Sequence, residues 1–313
     1  MYVASSRSRR IPNDGEWIIL QSDDGSPPKP SKAKPDTFPP GFLNSLTDPL
    51  VILIHGYNNT ERQAFGQYAL EIGTKGKKGL MAANGFTGSV IAYDWPSVET
   101  SASAPLTVYE NDLKAARTTG AEALVDFVQK LSAALDGKNL RFNLMAHSMG
   151  NLVVRMALTL DSTLASKLDS IFSFGADLPV ADMERSEIIK SGDTLSSNWF
   201  VYWAQADLIL LSLSNWANII LGNEAWGGQR VGQQGILHPS AVSSKVISQE
   251  WDQPIAEDIG SHYNWDLREW QFNQGVHCAY WANKSFLKNV ADNLLRKPGA
   301  APILAKWPPP PQV

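Results

Sequence analysis

Five short apolar runs most restrict what this chain can fold into. Residues 50–54 (LVILI, entered from Pro49), 89–93 (SVIAY), 141–145 (RFNLM), 170–174 (SIFSF) and 199–203 (WFVYW) are near-continuous hydrophobic stretches separated by helix-length segments. A strand exposed on one face alternates apolar and polar residues, whereas runs without that alternation read as strands covered on both faces, as in a parallel sheet. Between the second and third runs, Leu113, Ala116, Ala123, Leu124, Phe127, Val128, Leu131 and Leu135 recur at helical spacing, with Asp112, Lys114, Arg117, Glu122 and Asp126 off that face. Residues 149–160 and 283–295 also read as helices, the latter closed by Pro298-Gly299. Alternating strand and helix implies an α/β fold, a mostly parallel central sheet with right-handed crossovers and helices on both faces. Residues 16–21 (EWIILQ) predict a further short strand. Residues 25–41, with six prolines and three lysines, predict a loop. One domain over 1–297 and a Pro-rich tail over 298–313 follow, with no internal repeat.

Ala146-His147-Ser148-Met149-Gly150 falls between an apolar strand and an amphipathic helix. A serine at such a strand-turn-helix bend takes a strained backbone conformation and is lifted above the sheet. The residues two before and two after it must be small, because strand and helix backbones nearly touch. Ala146 and Gly150 meet that demand. The bend also puts Ser148 at a helix N-terminus, where amides and dipole favour developing negative charge, so the Met149 amide is expected to serve an oxyanion. The competing reading is a serine that merely caps a helix. A second signal is 51–59 (VILIHGYNN), where a buried strand runs into His-Gly and a polar loop, and the Tyr57 amide becomes the second expected oxyanion donor.

These residues resemble the α/β-hydrolases, and more narrowly a subfamily of bacterial hydrolases of unknown function that share the His-Gly-Tyr-Asn-Asn loop and the Ala-His-Ser-Met-Gly-Asn elbow. Asp94-Trp95-Pro96-Ser97 and Gly175-Ala176-Asp177-Leu178-Pro179 match further family positions. The resemblance covers roughly 51–213 and resumes near His277. It implies the chain order nucleophile, acid, histidine. His55 and His147 precede the serine, and His238 lies beside a proline in a Gly- and Ser-rich loop. His277, just before the final helix where this fold keeps its histidine, is the expected base, and His262 is the alternative. Asp207, at the end of the fifth run, is the expected acid. Asp177 and Asp252 are its rivals, and a helix N-cap before LILLSL is the structural use of Asp207.

The implied activity is a serine hydrolase cleaving carboxylic esters, esterase- or lipase-like, through an acyl-enzyme on Ser148. Acyl transfer or amide cleavage by the same nucleophile, or a non-catalytic binding role, are the other readings. The partner expected is a small-molecule or lipid acyl ester. A formal charge of −4 offers nucleic acid no attraction. A single cysteine and no clustered His and carboxylate spacing leave no metal site, and no cofactor is expected. The Gly- and Lys-rich 73–79 lacks the Ser or Thr of a phosphate loop and reads as a turn. Residues 208–274, rich in tryptophan, form a possible cap, with 208–221 either a lid helix or a buried one. The first residues lack an apolar signal core and no stretch suffices to span a membrane, so a soluble, cytoplasmic protein is expected.

Overall fold

The computed structural model describes residues 1–7, 16–22, 26–27, 34–73, 79–97, 105–186, 198–205, 207, 209–214, 228–251, 276–280 and 283–297. Asp252, His262, most of the expected cap, residues 74–78 of the Gly- and Lys-rich turn and the tail over 298–313 lie outside them.

Eight strands form one sheet: β1 (Tyr2–Ser5), β2 (Ile18–Gln21), β3 (Leu50–Ile54), β4 (Ser89–Asp94), β5 (Phe142–His147), β6 (Leu168–Phe174), β7 (Trp199–Trp203) and β8 (Val246–Glu250). Their order is β2-β1-β4-β3-β5-β6-β7-β8, parallel throughout except for the antiparallel β1–β2 pair. Both faces are covered, which is why the central strands carry no polar alternation. Leu50, Ile52 and Ile54 point into one core with the helices α1 (Pro105–Arg117), α2 (Thr119–Ala134) and α3 (Gly150–Leu160). Val51 and Leu53 point into the other, with the π-helical turns of Ala64–Gly73 and with α4 (Lys284–Leu294). Each fully buried aliphatic side chain contributes roughly 1.5–3 kcal/mol relative to exposure.

The sequence pattern differs from the fold in three places. The periodicity over 113–135 predicts one helix, but the chain breaks at Thr118 (φ −120°, ψ −101°) into α1 and α2. Gly120 then passes so close to Trp95 that a Cβ would sit 3.4 Å from that side chain. Tyr2–Ser5 forms β1, inside the sheet, a strand that the sequence pattern did not mark. Within the expected cap, Val246–Glu250 is the edge strand β8, so this part of 208–274 extends the sheet beside β7. Among the described residues, no helix is long and apolar enough to cross a membrane.

Parallel pairing aligns the carboxyl ends of β3, β5, β6 and β7, with Ile54 opposite Ala146, Ala146 opposite Ser173 and Ser173 opposite Val201. The loops leaving those ends therefore converge on one edge of the sheet, where open α/β sheets keep their ligand sites.

Candidate active site

Ser148 connects β5 to α3 at φ 51°, a left-handed conformation that costs a non-glycine residue roughly 1–3 kcal/mol. The surroundings impose it. The Ser148 amide donates to the Phe174 carbonyl at 3.2 Å, and its own carbonyl accepts from the Asp177 amide at 3.2 Å. Asn151, one turn into α3, sends its side-chain amide to the carbonyls of Ala146 and Ser148 at 3.0 and 3.1 Å. Close approach explains the small residues: a Cβ on Gly150 would lie 2.4 Å from the His55 carbonyl oxygen, and one on Gly56 would lie 2.8 Å from Ser148 Cβ.

His277 reaches this serine from the short helical turn Val276–Ala279. Its Nε2 lies 2.9 Å from Ser148 Oγ and its Nδ1 lies 2.7 Å from Asp207 Oδ2. The other Asp207 oxygen accepts from the Leu210 amide at 3.2 Å. The helix-capping use and the histidine contact weighed from sequence are thus both served by one carboxylate, which is fully buried. With Nδ1–H donating to Asp207, the Nε2 lone pair faces the serine hydroxyl. Burial alone pushes the imidazole pKa down, but the adjacent Asp207 carboxylate and the charge of Asp177 hold it above its ordinary value.

His147 tethers the backbone of His277. Its Nε2–H donates to the His277 carbonyl at 2.8 Å, its ring stacks on Phe174, and burial keeps its pKa well below the usual histidine value, so it stays neutral beside His277. Burial and the Asp207 charge push the neighbouring Cys278 thiol up to about 12, leaving it protonated.

The loop bearing Tyr57 is braced by a buried polar network. Asn59 Nδ2 donates to the carbonyls of Gly56 and Tyr57 at 3.1 and 3.0 Å. His55 Nε2 lies 3.2 Å from Asp94 Oδ1, its carbonyl accepts from Trp95 Nε1 at 2.7 Å, and its ring stacks on Trp95. Arg7, just past β1, completes the network: Nε donates to Asp94 Oδ1 at 2.7 Å, Nη1 to the Ser97 carbonyl at 2.6 Å and Nη2 to the Asn59 carbonyl at 2.5 Å. Burial raises the Asp94 pKa, yet Arg7, His55 and Ser5 together hold it below the ordinary aspartate value. Met149, the other expected donor, is the N-cap residue of α3, a position whose amide has no intrahelical acceptor.

The other candidates among the described residues are engaged elsewhere. Asp177 accepts from Tyr109 Oη at 2.9 Å and from the Ser214 hydroxyl, and lies 3.4 Å from Arg230 Nε, so its oxygens face away from the imidazole hydrogen bond. His238 is exposed and pairs with Glu184.

Residues 41–226, more than half of the chain, match the family described as alpha/beta hydrolase of unknown function (DUF900). The chain belongs to this family. No curated protein matches it. The matched span of this α/β-hydrolase holds Tyr57, Ser148, Met149 and Asp207, whereas His277 and Arg7 lie outside it. Sequence reasoning passed over Arg7, because its partners Asp94, Ser97 and Asn59 lie far off in the chain. Only the Val-Ala-Ser run before it hinted at a buried strand. Asn151 was visible within the elbow motif itself.

Removing the Arg7 guanidinium leaves the Asp94 carboxylate buried with only histidine and hydroxyl partners. Breaking a buried pair from one side typically costs about 3–5 kcal/mol. Arg7→Met is expected to lose stability on that scale in urea unfolding, and Arg7→Lys to lose less. A Met variant as stable as the parent would remove the network from any role in holding the loop.

Proposed function

We propose that the chain is a serine hydrolase that cleaves carboxylic esters through an acyl-enzyme on Ser148. Ser148 Oγ attacks the acyl carbonyl carbon while its proton passes to His277 Nε2. The carbonyl oxygen becomes an oxyanion that the amides of Tyr57 and Met149 receive, each such donor being worth about 3 kcal/mol of barrier. Collapse breaks the C–O bond, and the departing alkoxide takes the proton from His277. Water then adds to the acyl-enzyme with His277 again as base, releasing the acid and restoring Ser148. Asp207 orients the imidazole and stabilises its charged form without taking the proton.

The observation that carries this reading is the 2.9 Å approach of His277 Nε2 to a serine held at φ 51°. A hydroxyl with no base is inert, and a helix-capping serine has no cause to occupy a strained bend. Esters are the acyl class that asks least of such a set, since an alkoxide leaves more readily than an amine.

Incubating the chain with a fluorophosphonate probe and mapping the adduct by peptide mass spectrometry tests it. The label is expected on Ser148; its absence there, with or without a label elsewhere, would defeat the assignment.

A further inference from the structure

The His-Gly-Tyr-Asn-Asn loop ends on Asn59, a residue to which the attack and hydrolysis steps give no task. The loop reverses at Asn58 (φ 54°), and Asn59 thereby returns to the peptide that joins Gly56 to Tyr57. Its Nδ2 donates to the carbonyls of Gly56 and Tyr57 at 3.1 and 3.0 Å. Two carbonyls meeting the same end of the amide settle which end carries the NH2. His55 Nδ1 lies 2.9 Å from the same Gly56 oxygen. A trans peptide is planar with its C=O and N–H pointing opposite ways, so whatever holds the Gly56 carbonyl also aims the Tyr57 N–H. The carbonyl faces the buried side of the loop, where Asn59 and His55 sit, and the N–H faces the opposite side. Gly56 itself lies against Ser148.

Asn59 is in turn held from outside the loop. Its carbonyl accepts from Arg7 Nη2 at 2.5 Å and from Ser97 Oγ at 2.8 Å, and its backbone amide donates to that same Ser97 Oγ at 3.2 Å. Tyr68, buried in the π-helical turns of Ala64–Gly73, hydrogen-bonds the Asn59 side chain and the Gly56 backbone. Arg7 follows β1, Ser97 follows β4 and Tyr68 belongs to the opposite layer, so the amide, carbonyl and side chain of one loop residue are each tied to a different part of the fold. A solvated turn needs no such anchoring to reverse direction, whereas a donor whose aim matters needs rigid support behind it.

We propose that Asn59 is a positioning residue for the oxyanion: by holding the Gly56 carbonyl it sets the aim of the Tyr57 N–H, and Arg7 and Ser97 set Asn59. Donation into the carbonyl also polarises the peptide, which strengthens its N–H as a donor. This rests on Ser148 being the nucleophile and on the Tyr57 amide receiving the oxyanion.

Asn59→Leu keeps the side-chain volume and removes both hydrogen bonds. The test compares kcat/KM for 4-nitrophenyl hexanoate and for its thionoester, in which sulfur replaces the carbonyl oxygen, per mole of Ser148 titrated with a fluorophosphonate. Sulfur is larger and a weaker acceptor, so the thionoester gains less from the N–H. In Asn59→Leu the ester value is expected to fall about a hundredfold, the scale of a donor lost or displaced by about 1 Å. The thionoester value should fall far less, so the ratio of ester over thionoester drops at least about tenfold. The acid limb of the pH profile is expected to stay in place, because His277 and Asp207 keep their contact. Arg7→Lys, which keeps a charge opposite Asp94 and gives up the fork, is expected to lower the same ratio by less. An unchanged ratio in Asn59→Leu overturns the proposal even where both values fall, since a general loosening touches both substrates alike. A shifted acid limb overturns it as well, by placing the effect on the base. If the Leu variant does not fold, an unchanged ratio in Arg7→Lys overturns it. A parent chain that takes no adduct on Ser148 defeats the nucleophile reading and this proposal with it, whereas a labelled parent with an unchanged ratio in the variants defeats the positioning alone.

Discussion

Ser148→Ala is expected to lower kcat on an activated ester such as 4-nitrophenyl acetate by about four to six orders of magnitude, the scale of nucleophile removal in serine proteases. The variant isolates chemistry from structure unusually well. Alanine keeps the Cβ, so the strain at φ 51° is unchanged, and the backbone bonds to Phe174 and Asp177 that hold the bend do not involve the hydroxyl. The hydroxyl's hydrogen bond to His277 Nε2 is what disappears. Stability is therefore expected to stay within about 1 kcal/mol, near what one net hydrogen bond contributes. The pre-steady-state burst of nitrophenolate, the signature of a covalent acyl-enzyme, should vanish with the steady-state rate. His277→Ala should cost nearly as much, and the double variant little more than either, because groups that act as a unit do not add. Steady-state turnover by Ser148→Ala within tenfold of the parent would mean that water, or another side chain, attacks the ester.

How much of this could be read beforehand depended on whether a feature was local. The runs that became β3 to β7 were legible because a strand covered on both faces needs apolar residues at every position. The bend at Ser148 was legible because backbone proximity restricts positions 146 and 150 to small residues, a constraint written within five residues. β8 was missed for the opposite reason: it is a partly exposed edge strand (VISQE) whose identity comes from pairing with β7. β1 is four residues long, too short to show a period. Arg7 and Arg230 were invisible because a buried guanidinium is defined by partners far off in sequence, Asp94 and Ser97 for the one and Asp177 for the other. Asp207 stood between these cases: its place after β7 suggested either a cap or an imidazole partner, and nothing in the sequence said that its two oxygens would take one task each.

That division of labour makes Asp207→Asn the more telling of the acid's substitutions. The Leu210 amide requires an acceptor, so the asparagine oxygen is expected to occupy the Oδ1 position and turn its NH2 toward His277. A donor facing Nδ1 forces the imidazole proton onto Nε2. The ring then presents N–H, not a lone pair, to Ser148, and the base is lost although every heavy atom stays in place. A fall in kcat of about four orders of magnitude follows, the size of tautomer inversion in a serine protease. The pH profile carries an independent sign. The proposed mechanism needs neutral His277, whose pKa is held above the ordinary value by Asp207 and Asp177 against burial, so kcat/KM is expected to rise with pH through that raised value. Without the Asp207 charge, burial acts with less opposition and the acid limb moves to lower pH even as the plateau drops. Asp207→Ala removes the cap as well, so it should also lose about 0.5–2 kcal/mol of stability that the Asn variant keeps. An Asn variant with kcat within tenfold of the parent, or with its acid limb unmoved, would show that the imidazole takes its orientation from the His147 tether and not from the carboxylate.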